Sequence, residues 1–413
     1  MLLVESARGA AAAYVCFHHV DLIGHLAESF SWGKYLFYPL NFGQEAVFLF
    51  FFLSGFSIHY SSHDRPLQEI GGICHFYYLR LRRIYPIFLF AIVLSVALCA
   101  LAVFLGLIPN ALCHTSGRDL FFVVFFLSDI HDGTWCLGLP NNPALWSLAY
   151  EIPYYLVYPA FWMSCKRFGT ERTFAFTCLG SVAFMLAGCL RASHISSVFC
   201  LYWLWTGGAL MAEWKLTGKR FSFSPVSYYF ALFLCCAASQ SVEAVAKPLL
   251  HWNLEALTIG IVVFSTYIDF KPVLPSMRLV AAGGTALLLL FSLWVTRNVP
   301  TWGRHMFLNL RLVSLAAFVA WLLVTGANVA SLCRILAEPF LKLGAISYAL
   351  YVVHMPILYF AADALHHAGM SFFWTPVALL LIFPLAWWLE IKFQRWAAGL
   401  LDMSRARLAP VFQ

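Results

Sequence analysis

The chain has 413 residues, of which 62% are hydrophobic and only 11% charged, with a formal net charge of +7 at pH 7. A soluble domain carries about 25% charged residues, so this composition and a mean hydropathy of +0.78 exclude a water-soluble globular protein and make length a poor guide to domain count. The small positive excess is accounted for by basic loops on one side of a membrane and does not call for nucleic acid as a partner.

Apolar windows long enough to cross a bilayer recur near 8–27, 42–60, 84–107, 146–163, 173–191, 197–213, 226–241, 252–268, 278–296, 306–326, 346–363 and 373–391. The apolar stretch 119–130 is too short to span and reads as re-entrant or interfacial. The expected fold is all-α, a polytopic integral membrane bundle of about ten to twelve helices. The first window has no signal-peptide layout and is expected to remain in the mature protein.

Alternating spans put Arg65, Arg80, Arg82, Arg83, Lys166, Arg167, Arg172, Lys215, Lys219 and Arg220 on one side, with the tail cations Lys392, Arg395, Arg405 and Arg407. The opposite side holds fewer, among them Lys34, Arg118, Arg191 and Lys247. The positive-inside rule then predicts a multi-pass protein of the cell membrane with both termini in the cytoplasm. Residues 1–395 are expected to form the transmembrane domain and 396–413 a short basic cytoplasmic tail, with 392–408 able to lie on the membrane as an amphipathic helix. No internal repeat is evident, which weighs against many transporter folds. The twelve cysteines contain no C-x-x-C pattern, so no metal is expected. A disulfide between Cys113 and Cys136 is one option for the extracytoplasmic side.

Four stretches carry ionisable groups inside or beside apolar runs, where such groups are costly and are functional candidates by default. In the first, Arg8 and His19 stand eleven residues apart, which returns to nearly the same helix face with a rise of roughly 16 Å. That places a permanent cation near one membrane surface and an imidazole near mid-bilayer, with Asp21 beyond. The second stretch, Asn41-Phe-Gly-Gln-Glu45-Ala-Val, runs on to Ser54-Gly55-Phe56. Glu45 either orients a hydroxyl substrate or is an interfacial acid in water, and Ser54-Gly55 reads as a close-packing site. The third, Phe76-Tyr-Tyr-Leu-Arg80-Leu-Arg82-Arg83-Ile-Tyr-Pro86, is taken as a loop leading into a span. Its guanidinium groups either anchor the topology or match the phosphates of a donor. In the fourth, Asn141-Asn142-Pro143-Ala-Leu-Trp146-Ser147-Leu-Ala-Tyr-Glu151, Ser147 and Glu151 share a helix face. Pro153 is expected to kink that helix. Near the C-terminal end Ser347, Tyr351 and His354 make a polar stripe at i, i+4, i+7 on an apolar helix. A hydrogen-bonded core histidine is the structural alternative for His354.

Taken in order, these stretches resemble the membrane-bound acyltransferase family 3, which includes O-antigen and exopolysaccharide O-acetylases, nodulation-factor acetylases and macrolide acylases. The matching elements are Arg8 with His19, Gly43-x-Glu45-Ala-Val with Ser54-Gly55-Phe, and Arg80-x-x-Arg83-Ile-Tyr-Pro86. They continue with Trp146-Ser147-Leu-x-x-Glu151, Gly207-Gly208 and Gly344-x-Ile-Ser347-Tyr348-x-x-Tyr351-x-x-His354. The match runs from about residue 8 to 390. The chain departs from the family where Ile152-Pro153 stands in place of a second acid, and only spacing selects His19 over His18.

The resemblance implies an acyl-CoA co-substrate, usually acetyl-CoA, on the cytoplasmic side, and a hydroxyl acceptor on a glycan or lipid-linked saccharide within the membrane. On this expectation Arg8, Arg80 and Arg83 hold the coenzyme's phosphates, His19 is the general base, and Arg8 and Glu151 complete the catalytic set. Glu45, Ser147, Tyr351 and His354 are expected to bind the acceptor. The base role needs a neutral imidazole. The competing reading is a non-catalytic transporter of an anionic amphiphile or sugar, in which His19, Glu151 and His354 form a path through the membrane.

Overall fold

A computed structural model describes residues 2–24, 42–128, 138–225, 248–270, 329–370 and 373–408, with a few isolated positions between 227 and 287. The expected spans near 226–241 and 278–296, apart from those isolated positions, the span near 306–326 and Cys136 lie outside the described residues. The described chain is almost wholly helical: α1 (Leu2–Gly24), α2 (Gly43–Ser62), α3 (Ile70–Phe104), α4 (Gly117–Val124), α5 (Trp146–Phe168), α6 (Thr170–Leu190), α7 (His194–Phe199) and α8 (Tyr202–Thr217). After these come α9 (Pro248–Phe264), α10 (Val329–Ala337), α11 (Ser347–His367), α12 (Trp374–Trp388) and α13 (Gln394–Leu408). Six helical stretches among the described residues are long and apolar enough to cross a membrane, which makes this a membrane protein. The exception to the all-α expectation is a parallel pair, β1 (Phe221–Phe223) and β2 (Ile268–Phe270), flanked by the ion pair Arg220–Asp269 at 2.7 Å.

The core lies where α1, α2, α5, α8 and α11 meet. The tightest seam joins α2 to α8. A Cβ on Gly55 would collide with the carbonyl of Trp205, and one on Gly208 with the carbonyl of Phe52. Small residues at a crossing let two backbones touch where lipid offers no hydrophobic push between helices.

The segment expected as a loop before the third span is helix. α3 begins at Ile70 and runs 35 residues, about 52 Å, well beyond the ~30 Å of a hydrocarbon core. Phe76, Ile84 and Phe88 are buried at helical spacing, so the apolar stripe of the span continues through the arginines and keeps the backbone wound. Pro86 leaves the carbonyl of Arg82 without its usual i+4 donor. Gln394 supplies one, its Nε2 donating to Arg82 O at 2.7 Å. The same device recurs in α11. Pro356 leaves the carbonyl of Val352 unserved, and the fully buried Asn142 donates Nδ2 to it at 2.9 Å.

One further expectation is corrected. Cys113 bonds to Cys99 across a Cα separation of 5.7 Å, not to Cys136. The chain leaves α3 and doubles back through the turn Asn110–Cys113, which returns Cys113 to the last turns of the helix it has just left. The C-terminal stretch is helical through Leu408. α12 passes through a π-helical turn, Leu389–Phe393, directly into α13. Asp402 of α13 then takes Arg82 at 2.7 Å and the hydroxyl of Tyr78 at 2.5 Å, docking the helix on the start of α3.

Candidate active site

A cavity of about 130 Å³ lies among α1, α2, α3, α5 and α11. Each helix delivers polar groups to it at helical spacing: Ser147, Glu151 and Tyr155 from α5, Ser347, Tyr348 and Tyr351 from α11, and Arg80 with Arg83 from α3. Arg8 reaches it from α1 and Ser54 from α2. The arginine of the first helix and the arginine pair of the third therefore share one chamber.

Glu151 ends a directed chain of hydrogen bonds. The Trp205 indole donates to Ser54 Oγ at 3.3 Å, Ser54 and the Tyr155 hydroxyl lie 3.0 Å apart, and Tyr155 donates to the Glu151 carboxylate. An indole only donates and an ionised carboxylate only accepts, so the chain runs one way, toward the acid. Arg8 and Arg80 add positive charge near the same carboxylate.

The three cavity arginines are not equivalent. Arg83 is committed: it pairs with the buried Glu390 and lies over the Tyr348 ring, 5.4 Å from its centroid. Arg80 rests over Phe76 at 5.5 Å and its Nε has no hydrogen-bond partner. Among the described residues neither Arg80 nor Arg8 has an ion-pair partner. The acid whose charge both of them feel is Glu151.

Ser147 and the Tyr351 hydroxyl, 2.8 Å apart, bound the cavity on its far side. One turn further along α11, His354 Nε2 lies 3.1 Å from His19 Nδ1. Carbonyl oxygens fix the tautomers of this pair. His354 Nδ1 faces Tyr351 O at 2.7 Å and His19 Nδ1 faces Val15 O at 2.9 Å, and a carbonyl only accepts. In their neutral forms both rings therefore carry hydrogen on Nδ1. His354 Nε2 is then the acceptor of the shared bond, and the lone pair of His19 sits on Nε2, away from the pair.

Of the residues singled out in the sequence, Arg8, Arg80, Arg83, Glu151, Ser147 and Tyr351 line the cavity. His19 and His354 form the adjoining pair. His18 packs its ring on Gly43 and lies 5.1 Å from the His19 ring. Glu45 is buried in the first turn of α2 and is not part of the cavity wall. Tyr155 and Trp205 were not singled out. Tyr155 is one turn beyond Glu151 and had a detectable i+4 signal, whereas Trp205 reaches the site only through the α2–α8 crossing.

A family model described as an acyltransferase domain matches residues 3–391. Among curated proteins, an uncharacterised protein of Haemophilus influenzae is 34% identical over 113 residues, 27% of this chain. The matched stretch spans 46% of that relative, about half its length. No solved structure matches the chain significantly. With the family match running through every helix that lines the cavity, from Arg8 to Tyr351, the chain belongs to acyltransferase family 3 and is a membrane protein of that family.

Proposed function

We propose that the protein transfers an acyl group from a cytoplasmic acyl-CoA, acetyl-CoA foremost, to a hydroxyl of a glycan or lipid-linked saccharide at the cell membrane. The observation that carries this reading is the pair of guanidinium groups without an ion-pair partner among the described residues, Arg8 and Arg80, on a cavity that ends one helical turn from His19 and His354. Arg8 and Arg80 bind the coenzyme's phosphates. Arg83, held by Glu390, shapes the cavity mouth and adds charge. Sites for whole drug-sized ligands run to roughly 300–1,000 Å³. A 130 Å³ chamber, about four waters by volume, is too small for the whole donor, so Arg8 and Arg80 meet its phosphates at the cavity wall while the nucleoside stays outside.

In the transfer step the acceptor oxygen bonds to the thioester carbonyl carbon and its proton passes to His19 Nε2. The carbon–sulfur bond then breaks, and the departing thiolate takes that proton. His354 Nε2 accepts the Nδ1 hydrogen of His19 throughout and so steadies the transient imidazolium. General-base catalysis of this kind contributes about 10²–10⁴-fold. Glu151, Ser147 and Tyr351 position the acceptor hydroxyl, and Glu45 borders its approach from the start of α2. The Cys99–Cys113 disulfide, at the end of α3 opposite Arg80, fits an oxidising compartment on that side and the cytoplasm on the arginine side.

The test is thiol release from acetyl-CoA by purified protein in nanodiscs, with a glycan and lipid-linked extract as acceptor. Wild type is expected to release coenzyme A and His19→Ala to release it about 10²–10⁴-fold more slowly. A protein that releases no coenzyme A, and whose thermal stability coenzyme A does not shift, is not a CoA-dependent transferase. Transport of a labelled anionic amphiphile into vesicles is then the activity to measure.

A further inference from the structure

At the end of the α2–α8 seam nearest Arg65, three side chains with metal-binding atoms converge outside the cavity. His59 and His63 stand one turn apart at the end of α2, and Glu213 comes from the last turns of α8. Both imidazoles address one carboxylate oxygen. His59 Nε2 and His63 Nδ1 each lie 3.4 Å from Glu213 Oε2, and the three ligand atoms all fall within 4.8 Å of one another.

These distances are long for N–H···O hydrogen bonds, which cluster at about 2.7–3.2 Å. They suit the edges of a coordination tetrahedron: ligand distances of about 2.0–2.2 Å to zinc place neighbouring ligand atoms roughly 3.3–3.6 Å apart. The outer shell is also in place. His59 is 2% exposed, and its remaining nitrogen, Nδ1, meets the hydroxyl of the fully buried Tyr158 at 3.3 Å. A partner on the far nitrogen of a ligating histidine fixes which nitrogen faces the metal. The outer nitrogen of His63 looks toward Asp64 at 3.8 Å. His63 and Glu213 keep 26% and 25% of their side chains exposed, which gives an ion a way in and leaves a fourth position for water.

We propose that His59, His63 and Glu213 form a site for a divalent zinc-class ion that clamps α2 to α8. The site revises the expectation of no metal and is independent of the acyl-transfer reading, since none of its ligands lines the cavity. Gly55 and Gly208 close the same seam in mid-helix by backbone contact. The ion would secure its end, two residues before Arg65 and the turn that leads into α3.

The experiment uses full-length protein in detergent, purified without a polyhistidine tag, stripped with chelator and titrated with Co²⁺ and then Zn²⁺. One equivalent of Co²⁺ is expected to produce the visible absorption of a four-coordinate site, displaced by one equivalent of Zn²⁺, with Zn²⁺ raising the melting temperature. His63→Ala and Glu213→Gln should lose both the spectrum and the stabilisation. Tyr158→Phe, which removes only the outer partner, should weaken binding by roughly 10–100-fold. Wild-type protein that shows no four-coordinate spectrum, or that binds no more Co²⁺ than the folded variants, overturns the proposal. If a variant does not fold, the wild-type spectrum and stoichiometry decide alone.

Discussion

His354 Nε2 lies 3.1 Å from His19 Nδ1 although 335 residues separate the two in the chain. The bond joins α1 to α11, and a backbone carbonyl facing Nδ1 of each ring assigns its tautomer. In the proposed mechanism His354 acts through His19. His19→Ala is expected to lower kcat by about 10²–10⁴-fold while acyl-CoA binding survives. His354→Gln retains an acceptor for the Nδ1 hydrogen and should keep more activity than His354→Leu, with kcat falling and KM unchanged. Equal loss in the Gln and Leu variants would show that the hydrogen bond is not what His354 contributes.

The arginines should separate by phenotype. Arg80→Ala removes a guanidinium without an ion-pair partner and is expected to weaken donor binding by about 1.5–3 kcal/mol, the value of a charge-assisted hydrogen bond, with little change in thermal stability. Arg83→Ala leaves Glu390, whose side chain is 6% exposed, without its partner and should cost about 1–3 kcal/mol of stability. Glu390→Gln in the Arg83→Ala background should recover part of that loss. Coenzyme A titrations and melting curves on the same preparations separate the two effects.

Asn142 is expected to be a stability residue. It serves the carbonyl that Pro356 strands in α11 and also donates to Ser95 Oγ at 3.0 Å. Asn142→Leu leaves that carbonyl buried and unpaired, at a cost of about 1–3 kcal/mol, read as a lower melting temperature. Exchange of Pro356 for alanine restores an N–H to Val352 O and should lessen the cost of losing Asn142, a coupling that a double-mutant cycle measures directly.

Gly55 and Gly180 make a matched pair. A Cβ at Gly55 meets the Trp205 carbonyl, whereas one at Gly180 meets nothing within 4 Å. Gly55→Ala should therefore destabilise by about 1–3 kcal/mol through overpacking. Gly180→Ala should be neutral or stabilising by up to ~1 kcal/mol, the gain in helix propensity. Melting temperatures that move together would mean that the α2–α8 crossing is not tight.

The strand pair gives a pH dependence. Hydrogen bonds from Arg220 hold the Asp269 carboxyl below the usual carboxylate range. A depressed carboxyl contributes stability that is present above its unfolded value, about pH 4, and is lost as pH falls through the lower folded value. Protection of the β1–β2 amides from hydrogen exchange should be flat from neutral pH down to about pH 4 and decline below it. Asp269→Asn should remove that decline.

The helical stretches were readable in the sequence because an α-helix satisfies its own backbone and shows its buried face as a local period. Ser147 with Glu151 and Ser347 with Tyr351 were visible as stripes for that reason, and each stripe does meet one cavity. The same logic extends α3 back to Ile70: its apolar face does not stop at the arginines, although the density of charge there suggests a loop. Other relations depend on which helices touch, and no local pattern encodes that. Packing decided that Arg83 is held by Glu390 while Arg80 is not, and that His19 rather than His18 meets His354. It also decided that Gln394 and Asn142 repair prolines in other helices, and that Cys113 returns to Cys99. His59 and His63 announce a shared helix face from four residues' spacing, but Glu213 joins them only because glycines at 55 and 208 let two backbones come together. Sequence alone determined a membrane bundle and the residue types available for acyl transfer. The tertiary structure decided which of them face each other, because in lipid that choice is made by close packing and by the pairing of buried polar groups across helices.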